Sequence, residues 1–521
     1  MSLLKIFPHF TRSYQDALNE LNRYIKSSNF YSPSSNPKLS REERNGLSSV
    51  YCSAVGIEDH HLNDLRIIHV TGSKGKGSVC SMIENVLRKS GLRTGFLSSP
   101  HLINIEERIR INGQPLSRKK FANVFWNVRD TLEEFTKTSP TVPMPSFLHY
   151  IFVMACKAFV DEKVDVGIIE VGIGGRYDHT NVFKNPFVTV ITSLALEHTD
   201  VLGNTIAEIA WRKAGIFKAG SAAVVSYGQS EEAMNVLIEE AERVQCPLYI
   251  ASPLDSFLTE GNMIESVKNV FDHLSMNDCR LLNLGVSLTA INLWFEKLHG
   301  NNDSCKRIGL QPTLVLKSSS TVLLDALSAR WPGRWQIVTR RNITYFLDGA
   351  HTVESLQFAT NWFQNQTLKT CNTGRVMRIL IFTVTGMRNP KSFLQILRSC
   401  EPRFDVVVFG NPHDGQFEIP PSKESRDELC MKIWSELELE WKNKDDIMCP
   451  ISKHVVSISN FINWLHQLTY FSVGAIQSYP CEYTGLKNDL NEKSNTQCCH
   501  ILVTGSLYMV GRILKEIGEP V

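Results

Sequence analysis

The stretch RIIHVTGSKGKGS, residues 66–78, decides how this chain is read. A mostly apolar run enters a turn made of Gly72, Ser73, Lys74, Gly75, Lys76, Gly77 and Ser78. The helix-patterned segment VCSMIENVLRKSG, residues 79–91, follows at once. Strand, glycine loop and helix in that order make a socket for a phosphate chain. Backbone N–H groups and the helix N-terminus face the anion, and a lysine neutralises it. The loop reads G-x-x-G-K-G-S rather than the common G-x-x-x-x-G-K-[ST]. Lys76 is the side chain placed to reach the terminal phosphates. Ser78 can cap the helix or put its hydroxyl on magnesium. The expected occupant is a nucleoside triphosphate.

On both sides of the loop, strand and helix patterns alternate. Strand candidates lie at 66–71, 93–98, 164–171, 187–193, 222–227 and 247–251, with helices at 78–90, 118–134, 146–160, 205–213 and 230–244. Several strands are continuous apolar runs, as in a sheet covered on both faces. The alternation predicts an open, mostly parallel sheet whose ligands sit beyond the carboxyl ends of the strands. A helix is expected at 15–26, a loop at 27–45, and an irregular stretch at 252–325 with one helix near 286–298. A second alternating unit starts near WPGRWQIV, residues 331–338. Its strands are expected at 343–347, 376–384, 404–409, 454–458 and 501–504, and its helices at 353–364, 390–398, 424–437 and 459–469. The expectation is an α/β protein with a larger nucleotide-binding domain at 1–328 and a smaller Rossmann-like domain at 329–521.

Composition agrees with that division, since 521 residues exceed what one core usually organises. Lys plus Arg is 55 against 53 for Asp plus Glu, so the net charge of +2 argues against a nucleic-acid surface. Thirteen cysteines without CxxC spacing point to free thiols in a reducing compartment, not to a disulfide framework or zinc cluster. No apolar run reaches the length of a membrane span; SFLHYIFVMACKAFV, residues 146–160, comes closest but holds His149 and Lys157 and reads as a buried helix. Residues 1–13 carry Lys5 and Arg12 without an acid, a faint presequence character. The setting expected is cytoplasmic, with a mitochondrial matrix or inner-membrane association as the alternative.

Further polar groups stand at strand ends. VDVGIIEVGIGGRYDHTNV, residues 164–182, runs into Glu170, where a carboxylate can hold magnesium beside phosphates. Gly172, Gly174 and Gly175 allow close backbone approach, and Arg176, Asp178, Thr180 and Asn181 form a polar cluster behind them. VITSLALEHTDVLG, residues 190–203, ends in Glu197 and His198; the histidine is a candidate metal ligand or phosphate contact. Lys213 follows an amphipathic helix and by pattern alone is a surface lysine. In the second unit PGR, residues 332–334, and LDGAHT, residues 347–352, repeat the theme. Arg334 suits bidentate phosphate contact, while Asp348 and His351 suit a nucleotide sugar or a reacting group. Convergent strand ends in two halves predict a cleft that closes over reactants.

Together these segments carry a specific likeness. The chain resembles the folylpolyglutamate synthases, relatives of the dihydrofolate synthases and of the Mur peptide ligases. The matching stretches are HVTGSKGKGS (69–78), GFLSSPHL (95–102), ERIRING (107–113), EVGIGGRYDHTNV (170–182), EHTDVLGNTIAEIAWRKAGI (197–216), WPGR (331–334), DGAHTVES (348–355), TGMRNP (385–390) and VTGSLYMVG (503–511). The resemblance implies a P-loop, Mur-ligase-like ATP-binding domain and a C-terminal glutamate ligase domain. It implies that Gly72 through Ser78, with Arg334 and Asp348, hold ATP, and that Ser78, Glu170 and His198 surround Mg2+. Lys76, His198, Lys213, Asp348 and His351 are implied in catalysis, and Lys213 matches a lysine that the family can carbamylate. His101 lies in the segment near the folate site.

The implied cofactors are ATP and Mg2+, with K+ as a further cation. The implied partners are folate and L-glutamate, with no nucleic acid, no membrane span and a monomeric chain. The implied reaction is amide ligation through an acyl phosphate. Addition of the first glutamate to dihydropteroate stays open as an alternative, as does a nucleotide-binding member without ligase activity. Departures from the family pattern are Glu197 for Asp, Asn389 for Asp, Thr383 for Asn and Tyr508 for His. The family G-x-H-Q-x-x-N-A segment is matched to NLGVSLTA, residues 283–290, which puts Gly285, Val286 and Thr289 at its His, Gln and Asn.

Overall fold

The computed structural model describes residues 12–27, 41–251, 279–300, 320–370, 375–385, 388–412, 426–442, 451–455, 457–468 and 496–521. The chain divides into two compact units, one of Met1–His101 with Ile105–Arg330, the other of Leu102–Asn104 with Trp331–Val521. Most of the region 1–13 lies outside the described residues, as does most of 252–325.

The first unit is built on an eight-stranded sheet of order β4-β3-β2-β5-β1-β6-β7-β8. Its strands are β1 (Ile68–Thr71), β2 (Thr94–Leu97), β3 (Ile109–Ile111), β4 (Gln114–Pro115), β5 (Val166–Glu170), β6 (Val188–Ile191), β7 (Ala222–Ser226) and β8 (Leu248–Ala251). Six of them run parallel, and β3 and β4 add an antiparallel edge. Strands β1, β2, β5, β6 and β7 are buried at every position, which is why their sequences are mostly apolar and do not alternate. The chain leaves β1 towards β2 and later returns to the other side of β1 with β6. That reversal opens a crevice at the carboxyl end of β1, between the ends of β5 and β6.

Helices cover the sheet. The helix Phe147–Asp161 buries Phe147, Tyr150, Phe152 and Phe159 in the largest apolar cluster, each worth about 1.5–3 kcal/mol when removed from water. It is the apolar run of the sequence, and it packs inside the unit as a core element. The helix Cys279–Leu298 starts about two turns before the expected residue 286, because Cys279, Leu281 and Leu284 extend its apolar surface. The expected loop at 27–45 ends where the helix Arg41–Ala54 begins.

The second unit carries a six-stranded sheet of order β13-β12-β11-β14-β10-β9. The strands are β9 (Gln336–Arg340), β10 (Ile343–Leu347), β11 (Arg375–Phe382), β12 (Val406–Gly410), β13 (Ile451–Val455) and β14 (Thr496–Thr504). All pairings are parallel except β9 with β10. Strand β9 was not among the expected strands; Arg341 in the left-handed region closes a tight hairpin and pairs it with β10. The strand expected at 454–458 lies three residues earlier, in register with Val406–Gly410. Leu102 and Ile103 pack on the core of this unit, and Leu102 lies so close to Gly511 that a Cβ there would stand 2.1 Å from the Leu102 carbonyl oxygen.

Candidate active site

The phosphate loop leaves β1 at Thr71 and enters the helix Lys76–Lys89. Two glycines make the path. Gly72 has φ +144°, and a Cβ there would stand 1.8 Å from Thr192 Oγ1. Gly75, the residue before the helix, has φ +89°, and its Cβ would stand 2.2 Å from Asn283 Oδ1. Neither position tolerates a side chain without displacing a neighbour.

The loop is anchored from one side. Ser73 N and Lys74 N both donate to Ser193 O, at 3.0 and 3.1 Å. Ser73 Oγ donates to Ala195 O at 3.1 Å. Those two backbone donors are thus engaged in fixing the loop. The N–H groups at the start of the helix, at Lys76, Gly77 and Ser78, have no intrahelical acceptor.

Three charges converge on the loop. Lys76 Nζ and Lys213 Nζ both donate to Gly72 O at 2.9 Å. Lys213 Nζ also pairs with Glu197 Oε1 at 3.1 Å. Lys213 is 1% exposed, so the surface placement its pattern predicts is wrong. The helix Ile206–Ala214 starts at a Thr205–Glu208 capping box and turns Ile209, Ala210 and Lys213 inwards together. Burial draws the Lys213 pKa down to about 8 against the pull of Glu197. Burial pushes Glu197 up, but Lys76 and Lys213, helped by His198, outweigh it and hold the carboxyl at about 2. At neutral pH two cations meet one anion, leaving one positive charge in a desolvated setting, where an anion is favoured.

Glu170 ends β5 and is 6% exposed. Its Oε2 accepts Ser99 N at 3.0 Å, which ties the SSPHL segment to the strand end. The buried Cys80 thiol, raised first by its burial, is raised further by Glu170 and lowered by Lys76, so both charges stand near the same turn of helix. His198 has φ +46°, uncommon for a side-chain-bearing residue, and caps the short helix Thr199–Leu202. Among the described residues no group of three or more His, Cys, Asp or Glu is arranged to hold a metal ion. The oxygen donors Ser78 and Glu170 suit a hard cation that takes its other ligands from phosphate and water.

The cluster after Glu170 is structural. Asp178 Oδ1 accepts Thr180 N at 3.0 Å and Thr180 Oγ1 at 2.6 Å, and Thr180 Oγ1 meets His69 Nε2 at 2.9 Å. Gly175 approaches protein: its Cβ would lie 2.8 Å from Lys213 O. Arg176 pairs with Glu240 at 2.5 Å and lies over the Trp211 ring at 4.0 Å. His101 Nδ1 accepts Arg108 Nε at 3.0 Å.

In the second unit, the turn at 331–335 is stitched to the end of β10. Gly349 N donates to Gly333 O at 3.1 Å, and Trp335 N donates to Asp348 Oδ2 at 3.0 Å. A Cβ on Gly349 would lie 3.1 Å from Arg334 Nη1. His351 Nδ1 bonds Gly349 O at 2.9 Å. A carbonyl only accepts, so Nδ1 carries the proton, and Nε2 is the basic nitrogen of the neutral ring. Arg334, Asp348 and His351 thus share one end of this unit's sheet.

Asn283 was not among the expected site residues. It is 8% exposed and faces Gly75, while Thr289 Oγ1 turns back to Gly285 O at 2.8 Å and Val286 is buried in the core. The position over the loop is therefore Asn283, not any of Gly285, Val286 and Thr289. The extended helix that starts at Cys279 was the missing signal.

Residues 70–276 match the model of the Mur ligase middle domain. The mitochondrial folylpolyglutamate synthase of Homo sapiens is 33% identical, over 97% of this chain and 92% of its own length. The folylpolyglutamate synthase of Candida albicans is 31% identical, over 98% of this chain and 96% of its own. Among solved structures, a Mycobacterium tuberculosis folylpolyglutamate synthase complexed with ADP superposes with TM-score 0.68 at 21% identity, covering 97% of this chain and 98% of that one. E. coli FolC in complex with DHPP and ADP gives TM-score 0.63 at 21% identity, covering 96% and 97%. At these identities the structural likeness speaks for the fold.

Proposed function

The chain belongs to the folylpolyglutamate synthase family, and from that premise we propose that its phosphate loop and buried Lys213–Glu197 pair activate a folate carboxylate for amide formation with L-glutamate. The enzyme is an ATP-dependent ligase that adds glutamate to folate polyglutamates. A carboxylate is a poor electrophile because its leaving group would be oxide or hydroxide. Attack of a carboxylate oxygen on the γ-phosphorus of ATP gives an acyl phosphate and ADP. The amine of glutamate then attacks the acyl carbon, the C–O bond to phosphate breaks, and phosphate leaves as the new amide loses a proton.

One observation carries the residue assignment: two ammonium groups on the Gly72 carbonyl, balanced by a single carboxylate, beside the open N-terminus of a 14-residue helix. Lys76 Nζ donates to Gly72 O, and a terminal phosphate is a stronger acceptor for it than a carbonyl. Lys213 stays on Gly72 O and Glu197, holding the loop's shape while Lys76 follows the charge. Lys76 and the helix N–H groups are aimed at charge that moves on the phosphoryl oxygens. Ser78, Glu170 and His198 are the residues proposed to hold Mg2+, which when bound offsets charge on those oxygens. In the second unit we assign Arg334 and Asp348 to nucleotide contact and His351 Nε2 to proton acceptance. One chain carries all the named residues, so a monomer is the proposed working unit.

The test is incorporation of labelled glutamate with tetrahydrofolate, with dihydropteroate or with no acceptor, in wild type and Lys76→Ala. Wild type is expected to release phosphate and incorporate glutamate with tetrahydrofolate. Lys76→Ala is expected to lose ligation by about three orders of magnitude or more, with an unchanged circular-dichroism spectrum. Unchanged turnover in the variant removes the assigned role of Lys76.

A further inference from the structure

The phosphate loop is only as well placed as the segment it leans on. Ser193 O receives both Ser73 N and Lys74 N, and Ala195 O receives Ser73 Oγ. That segment lies beyond the end of β6, where the β6–β7 ladder has stopped at Ile191 paired with Val225. The same segment runs on to Glu197 and His198. Something must hold its other edge.

Gln229 does so. The chain leaves β7 at Ser226, turns through Gly228 with φ +79°, and starts the helix Glu231–Arg243 at the Ser230 cap. This short turn brings the Gln229 side chain alongside residues 192–194. Its Oε1 accepts Leu194 N at 3.0 Å, and its Nε2 donates to Thr192 O at 3.0 Å. The partners settle the amide orientation, since an N–H only donates and a carbonyl only accepts. One side-chain amide thus continues the ladder beyond the last backbone pair. Thr192 O and Leu194 N take the Gln229 edge, while Ser193 O turns towards the phosphate loop.

We propose that Gln229 is a positioning residue for ATP, acting through residues 192–195 on the phosphate loop and on the approach to Glu197 and His198. The proposal rests on the nucleotide-binding reading of the loop. It concerns a residue outside the loop that touches no reactant. Its loss frees the segment that fixes Gly72, Ser73 and Lys74, so ATP binding suffers before the fold does.

The experiment compares wild type, Gln229→Met and Gln229→Glu by steady-state kinetics and by calorimetric titration with Mg-ATP. Gln229→Met keeps the volume and removes both hydrogen bonds; KM for ATP is expected to rise about tenfold or more, with KM for glutamate unchanged. Gln229→Glu keeps the acceptor for Leu194 N, but when ionised sets an oxygen against Thr192 O. Protonation restores a donor, so its KM for ATP, normalised to wild type at each pH, is expected to fall as pH falls. A residue that merely supports the fold would lower the active fraction without separating the two KM values. Equal KM for ATP in wild type and Gln229→Met overturns the proposal. Should that variant fail to fold, a pH-independent ratio for Gln229→Glu overturns it instead. Wild type that takes up no Mg-ATP overturns the proposal together with the reading of the loop, whereas wild type that binds it beside equally tight variants overturns the proposal alone.

Discussion

Replacing Glu197 by Gln tests the charge arithmetic of the site in one step. The carboxyl is held at about 2, against an ordinary 4.5 for glutamate, a difference equivalent to about 3 kcal/mol in favour of the folded state. Lys213 falls from 10.5 to about 8, a penalty of about the same size while it stays charged. The two shifts act in opposite directions on stability, as expected for a buried ion pair whose desolvation opposes its attraction. Removing one partner exposes the penalty of the other. In Glu197→Gln, Lys213 keeps its burial and the repulsion of Lys76, with only the weaker pull of Asp178 remaining.

The expected loss at pH 7 is about 2–3 kcal/mol in urea unfolding, together with loss of ATP-dependent ligation. The sign of the pH dependence follows from the two shifts. The Glu197 pKa is depressed, so its contribution is present above 4.5 and is lost as pH falls towards 2. The Lys213 pKa is also depressed, so the folded protein binds fewer protons than the unfolded chain between about 8 and 10.5, and wild type gains stability across that interval. Once Lys213 is neutral, the carboxylate loses its nearest partner. The difference between wild type and variant should be largest just above 4.5 and should shrink as pH falls towards 2 and, because Lys213 without Glu197 gives up its proton below 8, as pH rises towards 8. A difference that stays flat from pH 4 to pH 10 refutes the pairing argument.

Two more substitutions separate the loop from the second unit. Gly75→Ala introduces a Cβ at 2.2 Å from Asn283 Oδ1 on a φ of +89°, so KM for ATP should rise and stability should fall by about 1–3 kcal/mol. Adding Asn283→Ala relieves the clash without relieving the backbone strain, and should recover part of the stability in urea titrations. Asp348→Asn keeps an oxygen acceptor for Trp335 N. Its unfolding midpoint should match wild type while ligation falls, and parallel loss of both would make Asp348 a structural residue.

The parts of the molecule that were legible in the sequence are those where one physical requirement dominates locally. A strand buried on both faces is mostly apolar, so β1, β5, β6 and β7 appear within a residue or two of their places. A phosphate loop needs glycines where side chains would collide, and Gly72 and Gly75 stand at those collisions. Tertiary contacts hid the rest. Lys213 reads as a surface lysine because nothing beside it in sequence announces that Gly72 O and Glu197 wait inside. Arg176 reads only as one of a polar cluster because its partners, Glu240 and the Trp211 ring, lie 64 and 35 residues away in sequence. Strands β3 and β4 are so short that no periodicity marks them. Gln229 has no motif; its role comes from being where a strand runs out.

The helix Cys279–Leu298 shows how a shift in register changes a functional argument. Matched at 283–290, the chain looks as though it has lost the polar side chains its family sets beside the nucleotide, and that loss was the support for a member without activity. Helical geometry places residues three and four apart on one face. Asn283 and Ser287 take the face towards the phosphate-loop helix: Asn283 meets Gly75, and Ser287 Oγ lies 3.5 Å from Val79 O. Gly285 and Thr289 are rotated away from it, with the Thr289 hydroxyl bonded to Gly285 O inside its own helix, while Val286 is buried in the core. An amide that can both donate and accept therefore stands at the loop after all, four residues before the serine that continues its face. Asn283 thus offers at Gly75 a polar side chain that Gly285, Val286 and Thr289 do not.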